Sequence, residues 1–296
     1  MCETCGCGLP AENKYMSHAD ADSTMIDNSA DRNTTLAIFQ DLLSENDHRA
    51  EHNRKHFHEH GVLTINLMSS PGAGKTNLIE ATIESLRGKA RIAVIEGDLE
   101  TENDAARIRA HQVPAIQITT GSACHLDAHM VHNALHRLDL ANIDILFIEN
   151  VGNLVCPASF DLGQHHNVIL LSVTEGDDKP VKYPVMFRKA DIMLLTKTDL
   201  LPYLDDFDPG RAEGHLRTLA NTAPVIPLST RAHDRGDNGM DAWIHWLQTA
   251  RKKANSQKSS SAGGIYPHTH SHSSTHTDIH SARTPPLPRP QLAKLR

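Results

Sequence analysis

The stretch Ser69-Ser70-Pro71-Gly72-Ala73-Gly74-Lys75-Thr76 follows an apolar run, Val62 to Met68, and precedes residues with helical periodicity, Lys75 to Arg87. Few patterns constrain a fold so tightly. Small residues let successive backbone N–H groups curl around a phosphate, and the loop must deliver them at the amino end of a helix, where the macrodipole favours an anion. Strand, loop and helix therefore form one unit, of the kind found in parallel sheets. Within it Lys75 is placed for the terminal phosphates and the Thr76 hydroxyl for magnesium, with Gly72, Ala73, Gly74 and Asn77 around them. Ser69 stands where the general motif has its first glycine.

The flanking sequence repeats the alternation that such a sheet needs. Charge-poor, strand-like runs occur at Val62 to Met68, Arg91 to Ile95, Ala115 to Ile118, Ile143 to Ile148, Val168 to Val173, Ile192 to Leu195 and Val225 to Leu228. Between them, Lys75 to Arg87, Asn103 to Ala110, His125 to Leu138, Gly210 to Ala220 and Gly239 to Arg251 supply crossover helices. The expected fold is α/β, a doubly wound, mainly parallel sheet. A further helix is expected from Thr34 toward Phe57, ending near Gly61. Residues 1–33 read as a flexible metal-binding segment, 34–254 as the nucleotide-binding domain, and 255–296, rich in Ser, His and Pro, as a disordered tail.

Acidic residues outnumber basic ones, 36 to 29 among 296 residues, which leaves no general basic surface for nucleic acid. No apolar run approaches membrane-spanning length, and Glu3 and Asn13 interrupt the place of a signal peptide, so a cytoplasmic location is expected. In that reducing compartment cysteines stay reduced and available to bind metal as thiolates.

After the run Ile192 to Leu195 comes Thr196-Lys197-Thr198-Asp199. The Asp199 carboxylate can accept from two N–H donors on guanine, a pair that adenine lacks at that edge, which favours GTP. Thr196 occupies the place where such loops usually carry Asn. Lys197 belongs to the same loop, and Ser229-Thr230-Arg231 can close over the base. Asp98 and Glu149 follow strand-like runs on the ligand-binding edge, where carboxylates complete a magnesium site.

Three of the five cysteines, Cys2, Cys5 and Cys7, sit within the first seven residues. Thiolates at that spacing, with the chain's own amine, can wrap one soft or borderline divalent ion without a core to position them. Cys124, beside His125, and Cys156 lie in loops after sheet strands. A loop running from Glu149 to Cys156 would let nucleotide state reach a metal ligand.

Together these motifs resemble the nickel-inserting GTPases of hydrogenase maturation, HypB. The resemblance covers Cys2-x-x-Cys5-Gly6-Cys7 and nearly everything from Thr34 to Arg251. It includes Ser69-Ser70-Pro71-Gly72, Gly97-Asp98, Cys124-His125-Leu126-Asp127 and Glu149-Asn150-Val151-Gly152-Asn153-Leu154-Val155-Cys156-Pro157. It implies a tight nickel site at Cys2, Cys5 and Cys7, a weaker nickel or zinc site at Cys124, His125 and Cys156, and slow GTP hydrolysis. It also implies a GTP-state homodimer with the weaker sites at its interface, a HypA-type metallochaperone as partner, and the hydrogenase large subunit precursor as recipient. Thr196 and Asn77 depart from the family's usual Asn and frequent Thr. The related urease-type nickel GTPase has Cys-Pro-His where this chain has Cys156-Pro157-Ala158. A nickel or zinc storage protein with a vestigial nucleotide site is the reading from another class, and a P-loop kinase acting on a small metabolite is a third.

Histidine is abundant, at 21 residues. His48, His52 and His56 share a helical face, either as metal ligands or as a solvated stripe. His129, His132 and His136 share another, read as helix surface. In the tail, His268, His270, His272, His276 and His280 are equally suited to nickel buffering and to a solvated low-complexity segment.

Overall fold

The computed structural model describes residues 29–98, 103–121, 123–231 and 238–261. Its centre is a seven-stranded sheet in the order β3-β2-β4-β1-β5-β6-β7, with every pairing parallel. The strands are β1 (Leu63–Met68), β2 (Ile92–Asp98), β3 (Ala115–Thr119), β4 (Ile145–Glu149), β5 (His166–Ser172), β6 (Ile192–Thr196) and β7 (Val225–Pro227). The helices are α1 (Ser29–His60), α2 (Lys75–Ser85), α3 (Asn103–Ala110), α4 (Ala128–Leu135), α5 (Lys179–Lys182), α6 (Pro184–Arg188), α7 (Pro209–Thr218) and α8 (Met240–Ser261).

Both faces of the sheet are covered, which is why the strands read as unbroken apolar runs. Leu63, Ile65 and Leu67 of β1 point to one face, where Leu78, Ile79 and Ile83 of α2 and Trp243 and Leu247 of α8 cover them. The Trp243 indole N–H, buried there, donates to the Thr82 hydroxyl at 2.9 Å. On the other face Ala93, Ile95, Leu146 and Ile148 meet Val131, Ala134 and Leu135 of α4 and Phe57 of α1. Farther along, Ile169, Leu171, Met193 and Leu195 meet Met186 and Phe187 of α6 and Ala212 and Leu216 of α7. Each fully buried Leu, Ile, Val, Met or Phe among them contributes about 1.5–3 kcal/mol.

Several boundaries differ from the sequence expectation, each for a local reason. β2 continues past Ile95 to Asp98, because parallel pairing with β3 and β4 holds Glu96, Gly97 and Asp98 extended. α4 begins at Ala128 and not at His125, because the Asp127 side chain caps it by accepting from the Met130 N–H at 2.7 Å. That leaves Cys124 and His125 in the preceding loop. The short helices α5 and α6 were not expected. Each has a proline in its first turn and is too short to show a helical apolar period.

Candidate nucleotide site and metal centre

β4 lies between β1 and β2, so the chain runs to opposite sides of β1 and opens a crevice at the carboxyl ends of the strands. The phosphate loop leaves β1 there. Gly72 and Gly74 have φ of +75° and +101°, and a Cβ at either would meet nothing within 4 Å, so the loop backbone frames open space at the start of α2. Lys75 is buried and donates to the Ser69 hydroxyl at 3.1 Å. The residue that replaces the motif's first glycine thus holds the lysine along the loop.

The Thr76 hydroxyl donates to Glu149 Oε1 at 2.9 Å. Glu149 ends β4, and its register partner on β2 is Glu96. With Asp104 of α3, their carboxylate oxygens converge within 4.8 Å. Glu96 and Glu149 are only 2% and 4% exposed, and Oε2 of each lacks a hydrogen-bond partner. Burial, then the charge of Glu149, lifts Glu96 to about 8. Burial lifts Glu149 to about 7 against the opposing pull of Lys75 and Thr76. Two buried carboxylates with orphaned oxygens beside a threonine hydroxyl form a donor set suited to a hard divalent cation. Asp98 closes β2 opposite Thr119, and its carbonyl accepts from the Thr120 N–H at 2.9 Å. Among the described residues, Glu96 and not Asp98 joins the acidic cluster.

Asn77, just past the loop, accepts from the Arg107 guanidinium at 2.6 Å, and Arg107 also bonds Glu80 and Asp104. This places an arginine of α3 beside the phosphate crevice.

Next to the loop a cavity of about 210 Å³ is lined by Gly74, Asn77, Thr196, Lys197, Asp199 and Ser229, among others. Lys197 adopts φ of +59°, a left-handed turn that swings the chain from β6 toward Asp199. Asp199 Oδ1 accepts from the Ser229 hydroxyl at 2.6 Å. Thr196, buried, donates to the Ala73 carbonyl at 2.7 Å and so ties the base-side loop to the phosphate loop.

Cys124, His125 and Cys156 come together, with ligand atoms within 4.8 Å of one another and Cys124 Sγ 3.8 Å from His125 Nδ1. His125 stacks on Phe160, with ring centroids 3.9 Å apart, and burial holds its pKa below the ordinary histidine value. A neutral imidazole between two sulfurs suits nickel, zinc or copper. A cavity of about 370 Å³ lies alongside, lined by Leu42, Ala123, His125, Met130 and Phe160, among others.

The same loop that carries Cys156 touches the phosphate loop. A Cβ on Gly152 would lie 2.8 Å from Pro71 Cα, so only glycine permits the approach. Asn150 Oδ1 accepts from the N–H groups of Leu126 and Val151 at 3.1 and 3.0 Å, and Asn153 donates to the Cys124 carbonyl at 3.3 Å. Gly97, at the end of β2, is pressed against Leu126, its imagined Cβ 2.7 Å from Leu126 Cγ. Glu96, Asp104, Arg107, Asn150 and Phe160 were not singled out from sequence. Only Asn150, inside the Glu149 to Cys156 motif, carried a signal there. Cys2, Cys5 and Cys7, the remaining ligand candidates, lie outside the described residues, as do residues 1–28 and the tail histidines.

Residues 63–227, from β1 to β7, match the family model described as CobW/HypB/UreG, nucleotide-binding domain. Over 216 residues, 73% of this chain, the sequence is 54% identical to the hydrogenase maturation factor HypB of Azotobacter vinelandii, covering 70% of that protein. It is 53% identical to that of Escherichia coli K12, again over 73% of this chain and covering 73% of that protein. Among solved structures, HypB from Helicobacter pylori in complex with nickel is similar at 38% identity and a TM-score of 0.66, covering 71% of this chain and 96% of that one. The phosphate loop, the Asp199 loop and the cysteine loop all lie inside the shared region, and on these grounds the chain belongs to the HypB family of hydrogenase maturation factors.

Proposed function

We propose that this protein is a GTP-hydrolysing nickel metallochaperone of [NiFe] hydrogenase maturation, in which nucleotide state sets the grip of Cys124, His125 and Cys156 on their ion. The single observation that carries this reading is the seating of Gly152 on Pro71. One loop starts at Glu149, bonded to the phosphate loop's Thr76, passes over Pro71 and ends at Cys156. A shift in the phosphate loop therefore moves a thiolate.

In this reading the N–H groups of Gly72 to Thr76 and the Lys75 ammonium hold the phosphates, and Asp199 and Ser229 recognise guanine. Thr76, Glu149, Glu96 and Asp98 are the residues available to magnesium, which supplies charge neutralisation at the terminal phosphates when bound. Hydrolysis makes a bond from water oxygen to the γ-phosphorus and breaks the bond to the β–γ bridging oxygen, the electron pair leaving on GDP and the water's proton passing to the released phosphate. Arg107 is engaged with Glu80, Asp104 and Asn77, which suits a slow turnover. A homodimer in the GTP state is supported by apolar surface at the cysteine site, where Val155 is 56% exposed beside Cys156 and Leu42 lines the neighbouring cavity. Nickel would bind first at Cys2, Cys5 and Cys7, and pass through the weaker site to a HypA-type metallochaperone and the hydrogenase large subunit precursor in the cytoplasm. Zinc is the competing occupant of the weaker site.

The test is a nickel titration of the Cys2→Ser, Cys5→Ser, Cys7→Ser protein with and without a non-hydrolysable GTP analogue. The expected result is a change in affinity on the order of tenfold, lost in Lys75→Ala. Equal affinities in both nucleotide states would remove the coupling, and binding indifferent to Lys75→Ala would favour storage.

A further inference from the structure

α1 and α4 pack against one another with their histidines facing across the seam. His52 and His56 lie one turn apart on α1, with ring centroids 4.6 Å apart, and the ring of His132 on α4 is 5.0 and 5.9 Å from them. One ring nitrogen from each of the three falls within 4.8 Å of the others. Reading His132 as helix surface was wrong, since it is only 9% exposed.

Its surroundings decide which nitrogen is available. The Asn53 amide nitrogen donates to the carbonyls of Ala128 and Leu162 at 2.9 and 3.2 Å, so its oxygen is the atom that faces His132 Nδ1 at 3.0 Å. Nδ1 must then carry the proton, and the lone pair of the neutral ring is on Nε2. An outer partner that orients an imidazole in this way is the usual support of a metal-bound histidine. His136 Nε2 lies 3.2 Å from that same Nε2 and donates its N–H to it, a hydrogen bond that a metal ion would replace by taking the lone pair of each ring. A tetrahedral ion bound at about 2.0–2.1 Å holds two nitrogen ligands about 3.3 Å apart, so this pair already has the separation such an ion requires. His52 and His56, each with a ring nitrogen within 4.8 Å of one on His132, would turn inward to close the set. A cavity of about 320 Å³ lined by His56, His132 and His136, among others, opens beside it as an entry path. Burial and the neighbouring rings also hold His56 and His132 below the ordinary histidine value, which favours the neutral form.

We propose that His52, His56, His132 and His136 form a further site for a divalent transition metal of the nickel and zinc class, separate from the cysteine centre. The ion staples α1 to α4. Because α4 follows directly on the Cys124 and His125 loop, and Asn46 of α1 accepts from the Ala128 N–H at 2.9 Å, the staple stiffens the base of that loop.

The experiment uses the full chain with Cys2→Ser, Cys5→Ser, Cys7→Ser, Cys124→Ala and Cys156→Ala, so that all five cysteines are gone while the tail histidines stay the same in every variant. Zinc equivalents are counted by equilibrium dialysis with elemental analysis, and thermal melting is followed with and without zinc. Adding His52→Gln and His56→Gln, which spares the buried His132 to Asn53 bond, is expected to remove one equivalent and abolish the zinc-dependent rise in Tm. Adding His136→Gln alone, at an exposed position, is expected to weaken the same equivalent at least about tenfold. An unchanged count and an unchanged zinc-dependent Tm in the double variant would overturn the proposal, with circular dichroism checking that each variant is folded.

Discussion

At the scale of single residues, Thr196 shows how a departure from a motif is absorbed. The Asn usual at this place has an amide that can donate and accept at once, whereas the Thr196 hydroxyl has one proton, spent on the Ala73 carbonyl at 2.7 Å. Its role is to brace the phosphate loop. Thr196→Val keeps the shape and leaves that carbonyl without its donor, so it is expected to cost about 1–3 kcal/mol in chemical denaturation and to weaken GTP binding. Unchanged stability would show that the bond carries no weight. Glu96 teaches the opposite lesson. Asp98 and Glu149 are the strand-end carboxylates that the sequence offers at the ligand-binding edge, and the cluster around Glu149 brings in Glu96. Side chains in a strand alternate, so Glu96 and Asp98 point the same way, and only the length of β2 and its register with β4 set Glu96 opposite Glu149.

Among the elements, the loop from Glu149 to Cys156 touches both the phosphate loop and the cysteine site. Asn150 bonds it to Leu126, Asn153 bonds it to Cys124, and Gly152 sits on Pro71. Gly152→Ala places a methyl 2.8 Å from Pro71 Cα, a backbone atom with no rotamer to give way. The expected cost is about 1–3 kcal/mol of stability, with nucleotide affinity and nickel affinity at the Cys124, His125 and Cys156 site weakening together. Isothermal titration of each ligand checks this, and a variant that loses one affinity while keeping the other would show that the two sites are independent. Sequence could name this loop because all its chemistry is local to a few residues. It could not show that α1 secures the same region through Asn46 and Asn53, whose hydrogen bonds span 75 to 115 residues of chain. Buried asparagines inside a helix carry no periodic signal, and their value depends on what packs against them.

For the molecule as a whole, one buried histidine gives stability a dependence on pH. His165 Nδ1 accepts the Thr64 N–H at 3.0 Å, so the ring must be neutral where it sits at the start of the sheet. Burial first, then the charges of His166, Arg54 and His58, lowers its pKa from 6.5 to about 4. Between those values the unfolded chain binds the extra proton, so stability from this group is complete above about pH 6.5 and is lost as pH falls toward 4. The loss is at most about 3 kcal/mol. The buried carboxyls of Glu96 and Glu149, raised to about 8 and about 7, act in the opposite sense over this range, so the test is a difference. His165→Asn, whose amide oxygen can accept the same N–H, is expected to lose less urea-denaturation stability than the unsubstituted protein between pH 7 and pH 5, and an identical change in both would assign the dependence elsewhere. What the sequence by itself determined was everything carried by neighbours along the chain. The parallel α/β class, the phosphate loop, the Asp199 loop and the Cys156 loop each rest on residue types at short fixed spacing, and backbone geometry translates that spacing directly. What only the tertiary structure decided was which distant groups share a space: Glu96 against Glu149, Gly152 against Pro71, and the histidines of α1 against those of α4. Those meetings depend on strand register and helix packing, and these are set by burial summed over the entire core and not by any local pattern.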